Sequence, residues 1–215
     1  MGQRRIIIAG ASGLVGHEIL RIALDHAEVS EVHSLGRRPA LVHHAKLRHD
    51  VVDFTNLAPL PPSDELYLAL GTTIKVAGSQ AAFRAVDFDA NLAVAKAALA
   101  AGVRQLGLVS AMGADAGSRI FYNRTKGELE DALQALGFEG RVFARPSLLI
   151  GNREALGQPA RPGETIGLAL GRLLDVLIPV DYKPIAARAV AASLLAQVPR
   201  ERGTQVLLSS QLRGR

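Results

Sequence analysis

The chain has no cysteine and no tryptophan, and only 4% of its 215 residues are aromatic. Without cysteine there is no disulfide framework, no thiolate-bound metal and no cysteine nucleophile. With so few aromatics there is no stacking platform for single-stranded nucleic acid. The formal charge of +5 comes chiefly from arginine, 20 against 5 lysines, but those arginines are scattered rather than clustered. That describes a solvated surface, and no nucleic-acid partner is expected. No apolar run reaches the roughly 18 residues of a membrane span, and Arg172 and Asp175 interrupt the best candidate. His43, His44 and His49 lie close together without the H-x-x-x-H or H-E-x-x-H spacing that places two on one helical face, so no metal is expected. What remains, 48% apolar and 21% charged residues, is an ordinary globular composition. Its length suits one domain with a small appendage.

The most informative stretch is Gly10-Ala11-Ser12-Gly13-Leu14-Val15-Gly16, directly behind the run Ile6-Ile7-Ile8-Ala9. The apolar run reads as a buried parallel strand and Leu14 onward as a helix. Between them, glycine recurs at every third position. Glycine permits positive φ and close approach of the backbone to a ligand. The helix start offers free N–H groups and a partial positive charge to an anion. Strand, glycine turn and helix together form a cradle for a dinucleotide pyrophosphate. Arg4-Arg5 before the apolar run imitates a short leader. The run is broken by glycines and passes into a helical pattern, so it reads as the first strand, and a cytoplasmic protein is expected.

Strand-like runs then alternate with helical patterns: Val32–Leu35, Leu47–Val52, Leu66–Leu70, Gln105–Ser110 and Arg141–Ala144 between helices at 14–27, 79–101 and 121–137. Three prolines in Thr55–Ser63 rule out a long helix there. The alternation predicts an α/β doubly wound parallel sheet with ligands at the carboxyl ends of its strands. Past Leu149 the texture changes. Residues 151–164 are rich in glycine and proline, and helices near 165–177 and 184–198 and a strand near Val206–Leu208 follow. This tail reads as a small substrate-side cap. Its wall mixes Leu168, Leu170, Leu173 and Leu177 with Arg153, Arg161 and Tyr182, which suits a modest, mostly apolar substrate.

On the 121–137 helix, the apolar stripe Leu129, Ala132, Leu133, Leu136 extends back by steps of three and four to Lys126 and Tyr122. A polar pair on such a face must find partners. An ammonium one turn from a phenol favours its phenolate, which suits the tyrosine to general acid–base work. Ser110 ends an apolar strand at the ligand edge, where its hydroxyl can hold a substrate oxygen. Asp87 and Asp89, without an evident partner, read as surface or capping residues.

These residues resemble the extended or atypical short-chain dehydrogenase/reductases, with a glycine turn spaced like Gly10, Gly13, Gly16 and a Ser…Tyr-x-x-x-Lys site matched by Ser110, Tyr122 and Lys126. Within them the chain is similar to the Tat-interacting-protein-like oxidoreductases. The matching stretches are Leu70-Gly71-Thr72-Thr73, Val109 through Asp115, Tyr122 through Glu128 and Arg145-Pro146-Ser147-Leu148-Leu149, over roughly residues 4–210. The resemblance implies a Rossmann fold and hydride transfer to or from a small carbonyl or alcohol. Tyr122 is then the acid/base, Lys126 the ribose-binding neighbour, Ser110 a ligand of the reacting oxygen, and Asn91 a member of a proton relay. It places the cofactor against Gly10, Ser12, Gly13, Leu14, Val15, Gly16, Leu70, Gly71, Thr72 and Thr73, with Asp50 and Val51 at the adenine and Pro146, Ser147 and Leu148 at the carboxamide.

An NAD site normally carries an acidic residue at the end of the second strand. Here that place holds Gly36-Arg37-Arg38, and arginine pairs with phosphate. NADP(H) is therefore expected over NAD(H). A cofactor-bound regulator with little turnover is the alternative, because fold alone does not imply activity. A nucleotide-sugar epimerase ranks lower, since only about 65 residues follow Ile150. A monomer or homodimer acting on a small molecule, with no membrane partner, completes the expectation.

Overall fold

The computed structural model describes residues 3–39, 42–151 and 179–213. Seven parallel strands form one sheet in the order β3-β2-β1-β4-β5-β6-β9. They are β1 (Arg4–Ala9), β2 (Val29–Gly36), β3 (Leu47–Val51), β4 (Glu65–Leu68), β5 (Gln105–Val109), β6 (Gly140–Arg145) and β9 (Gly203–Leu208). Two-residue strands β7 (Leu149–Ile150) and β8 (Ile185–Ala186) pair separately. This is the Rossmann fold that the alternation predicts.

Side-chain alternation along the strands builds two cores, as a parallel sheet covered on both faces requires. Ile6, Ile8, Tyr67, Val142 and Ala144 pack with helices α1 (Leu14–Asp25) and α6 (Ala187–Gln197). Ile7, Ala9, Leu66, Leu68, Leu106 and Leu108 pack with α4 (Asn91–Ala100) and α5 (Phe121–Gln134). Short helices α2 (Ile74–Ala77) and α3 (Gln80–Arg84) follow β4, and α7 (Ser209–Leu212) follows β9.

The long helix expected over 79–101 is not uniform. Between α3 and α4, residues Ala85–Ala90 form a π-helical turn. Such a turn widens the helix by one residue, and it rotates everything that follows. The buried face of this stretch runs Phe83, Asp87, Ala90, Asn91, Val94, Ala95 and Ala98. Asp87, expected at the surface, is 1% exposed.

The predicted helix at 165–177, and the candidate wall residues Arg153, Arg161, Leu168, Leu170, Leu173 and Leu177, lie outside the described residues. Tyr182 is described and is exposed. No helix among the described residues is long and apolar enough to cross a membrane.

Candidate active site

β1 has β2 on one side and β4 on the other, so the sheet's chain order reverses between β1 and β4. The loops leaving those two strands part there and leave a crevice, which is where such sheets bind ligands. Gly10 sits at that point with φ +94°, and a Cβ on it would lie 2.5 Å from the Ala69 carbonyl oxygen. A Cβ on Gly16 would lie 2.1 Å from the Gly10 carbonyl oxygen, so helix and turn close on each other only because both residues lack side chains. Gly13 is the N-cap of α1 and supplies no side-chain hydrogen bond. The first N–H groups of α1 thus keep their capacity to bind an anion. Leu14 and Val15 are themselves buried, so what they can offer a ligand is backbone; Ser12 is exposed at the crest of the turn.

Arg37 and Arg38 follow β2, beside the glycine turn, and both are exposed without a carboxylate partner among the described residues. The Arg38 carbonyl is held at 2.8 Å from His49 Nε2. Asp50 and Val51 stand opposite Leu35 and Gly36 at the end of β3. A cavity of about 690 Å³ opens there, bounded by Pro39, Val42, His44, His49 and Val51. Of the sequence-derived positions, Val51 borders this cavity.

The catalytic candidates gather at the other side of the crevice. Tyr122 lies in the first turn of α5, half-buried, with its ring 5.5 Å from that of the fully buried Phe83. Its hydroxyl has no hydrogen-bond partner among the described residues. One turn on, Lys126 is buried and its Nζ lies 2.7 Å from Asp87 Oδ1. Burial works against the lysine charge, but Asp87, then Tyr122 and Glu130, outweigh it and hold the lysine above its ordinary pKa. Asp87 Oδ2 accepts the Thr72 N–H at 2.8 Å, which ties the loop after β4 to the same pair. Thr73 caps α2, accepting the Val76 N–H.

Three of the expected residues are engaged within the protein. Ser110 is buried, and its Oγ donates to Glu130 Oε1 instead of standing open to a substrate. Glu130 is gripped in turn by the Arg145 guanidinium at 2.6 Å. Asn91 is buried, and its Nδ2 donates to the carbonyls of Leu70, Val86 and Asp87. It serves backbone acceptors around the π turn, whose displaced hydrogen bonds need partners. Ser147 has its N–H on Ser209 Oγ and its Oγ on the Lys183 carbonyl, both within the protein. Pro146 is buried and accepts the Met112 N–H, leaving Leu148 as the exposed side chain of that segment.

The sequence reading missed Asp87, Glu130 and Arg145. Glu130 had a signal, because the step of four that joins Tyr122 to Lys126 reaches it next. Gly127 lets α5 come down on the loop after β5, since a Cβ there would lie 2.1 Å from the Ala116 nitrogen. That close crossing sets Tyr122 and Lys126 opposite the end of β5. Among the described residues no cluster of histidine, aspartate and glutamate could hold a metal ion.

No protein-family model matches the chain. Among curated proteins it is 34% identical over 194 residues to Protein FMP52, mitochondrial, of Candida albicans, covering 85% of each. The chain belongs to the FMP52 family. Other FMP52 proteins it matches are likewise named as mitochondrial, which overturns the cytoplasmic expectation. The FMP52 name also stands where the motifs had suggested the Tat-interacting-protein-like branch. Solved structures share the fold of this FMP52-family chain at low identity. WbmH of Bordetella bronchiseptica in complex with NAD+ superposes with a TM-score of 0.71 at 14% identity, over 96% of this chain and 76% of that one. A short chain dehydrogenase family protein of Francisella tularensis gives 0.71 at 10% identity, over 98% and 99%.

Proposed function

We propose that this chain is an NADP(H)-dependent oxidoreductase of the short-chain dehydrogenase/reductase type, acting on a small carbonyl or alcohol with Tyr122 as acid/base. One observation carries the reading. A half-exposed tyrosine hydroxyl stands one helical turn from a buried ammonium, at the sheet edge that also bears an uncapped helix N-terminus behind a glycine turn.

The residues present fit a nicotinamide dinucleotide. The backbone N–H groups that open α1 would hold the pyrophosphate, and Arg37 and Arg38 the 2′-phosphate. Asp50 and Val51 would face the adenine, and Lys126 the ribose near the reacting carbon. The bound group supplies a hydride. The protein's part is to move the proton that balances it. Tyr122 gives its hydroxyl proton to the substrate oxygen during reduction and takes it back during oxidation. Lys126 stabilises the phenolate left between those events. Lysine has three N–H donors, so the contact with Asp87 leaves others for a ribose hydroxyl.

Tyr122→Phe tests this directly. Turnover of NADPH against a panel of aldehydes, ketones and quinones should fall by about 10²–10⁴-fold, the usual weight of a general acid. NADPH affinity, read by fluorescence, should stay as it is. Undiminished turnover in the variant would remove Tyr122 from the chemistry, and tight NADPH binding with no turnover of any panel member would favour the regulator.

A further inference from the structure

Asp87 is fixed from two sides. Its Oδ2 takes the Thr72 N–H from the loop after β4, and its Oδ1 meets Lys126 from α5. Asp87 lies within the π-helical turn, four residues on from the buried Phe83 and on the same inward face. Both partners are almost wholly buried, with side chains 5% and 1% exposed for Lys126 and Asp87. Above the pair lies Gly71. A Cβ built on it would stand 3.4 Å from Asp87 Oδ1 and 3.9 Å from Lys126 Nζ, so only a hydrogen atom covers the pair on that side.

Three groups face the lysine charge: Asp87 from the π turn, and Tyr122 and Glu130 one turn to either side on α5. Glu130 is already engaged by Arg145 and Ser110. Asp87 is thus the carboxylate in contact with Lys126. We propose that Asp87 is the positioning residue of this site, fixing where the lysine's positive charge stands beside Tyr122. The proposal rests on the reading of Tyr122 as acid/base. Without the carboxylate, burial acts on the ammonium unopposed at close range and favours neutral lysine. Tyr122 then loses the charge that stabilises its phenolate.

The absence of tryptophan makes this readable, because the three tyrosines dominate the near-ultraviolet spectrum. Phenolate absorbance is titrated in the unaltered protein, Y122F, D87N and the double variant D87N/Y122F. Subtracting each Y122F counterpart isolates Tyr122. In D87N the Tyr122 phenolate signal should appear at higher pH than in the unaltered protein, and Asp87→Glu should bring it back down. A Tyr122 signal at the same pH in folded D87N overturns the proposal. If D87N does not fold, the ammonium 15N resonance of Lys126 in the unaltered protein decides. Slowly exchanging ammonium protons are expected, and exchange as fast as that of a surface lysine overturns the pairing. The outcome separates from the parent reading: undiminished turnover in Y122F removes Tyr122 as acid/base and leaves the titration interpretable, whereas an unmoved titration removes Asp87 alone.

Discussion

At the amino edge of the sheet Arg4, Glu65 and Tyr67 close upon one another, while at the carboxyl edge Asp87 and Lys126 meet below a half-exposed tyrosine. The Arg4 guanidinium makes two hydrogen bonds to Glu65, at 2.6 and 2.7 Å, and the Tyr67 hydroxyl adds a third at 2.5 Å. Gly107 on β5 leaves room for the Tyr67 ring, since a Cβ there would lie 3.0 Å from it. Each polar side chain of that cluster is turned inward upon its partners. The carboxyl-edge pair is as deeply buried, yet that edge also carries the glycine turn, a phenol without a hydrogen-bond partner among the described residues, and two exposed arginines. Burial of charge is common to both ends. Unspent hydrogen-bonding capacity is confined to one, and that difference separates a cluster that holds the sheet together from one equipped for chemistry.

The largest effect should come from the closed end. Glu65→Ala strands a buried guanidinium and should cost about 3–5 kcal/mol of stability, the range for breaking a buried ion pair. Denaturant unfolding gives that number, and NADPH affinity measured on the folded fraction should not change. Tyr122→Phe should do the reverse, leaving stability within about 0.5 kcal/mol because the hydroxyl has no partner to lose among the described residues. If Glu65→Ala weakened cofactor binding while staying folded, the division between the two ends would not hold.

Alkaline pH should stress both ends together. Burial pushes the Tyr67 phenol well above its ordinary value, and the Glu65 carboxylate pushes the same way while Arg4 opposes it. Lys126, held by Asp87 against the effect of burial, is likewise raised above its ordinary value. Each group therefore binds its proton more tightly folded than unfolded. The stability this gives is fully present below pH 10 and is lost as pH rises through the folded values. The unfolding midpoint should fall progressively above that point. Tyr67→Phe should flatten the decline without touching Lys126, and an equally steep fall in that variant would take Tyr67 out of the account.

How far the sequence foretold these two ends depended on the range of the interaction. The strands were legible because Ile6, Ile7 and Ile8 are β-branched and apolar, and a strand buried on both faces needs nothing more. Tyr122 and Lys126 were legible because a helix places residues four apart on one face. Asp87 was not. A carboxylate becomes a buried partner only when another element brings it a cation, and nothing near it in the chain records Lys126. It lies one turn on from the buried Phe83, yet a carboxylate without an evident partner reads as a surface residue. The acceptors of the Asn91 amide, the carbonyls of Leu70, Val86 and Asp87, were likewise not legible in the chain. Ser110 was placed correctly at the end of β5, but where its hydroxyl points depends on Glu130, which sequence stepping reached without giving it a role. β7 and β8 are two residues each, too short to show a period.

The smallest effect belongs to Arg37. Because it is exposed and carries no ion pair among the described residues, Arg37→Ala should leave the unfolding midpoint where it is. What it should lose is discrimination between the two nicotinamide dinucleotides. A guanidinium meeting the 2′-phosphate contributes on the scale of a hydrogen bond to a charged group, roughly 1.5–3 kcal/mol, so NADPH affinity should drop about tenfold to a hundredfold. NADH affinity should hardly move, since NADH lacks that phosphate. Arg38 is the internal control: its carbonyl is tied to His49, so its backbone is fixed while its side chain stays exposed. If both single variants left the NADPH-to-NADH ratio unchanged, the two arginines would be surface charge, and the chemistry at the carboxyl edge would have to run on either dinucleotide.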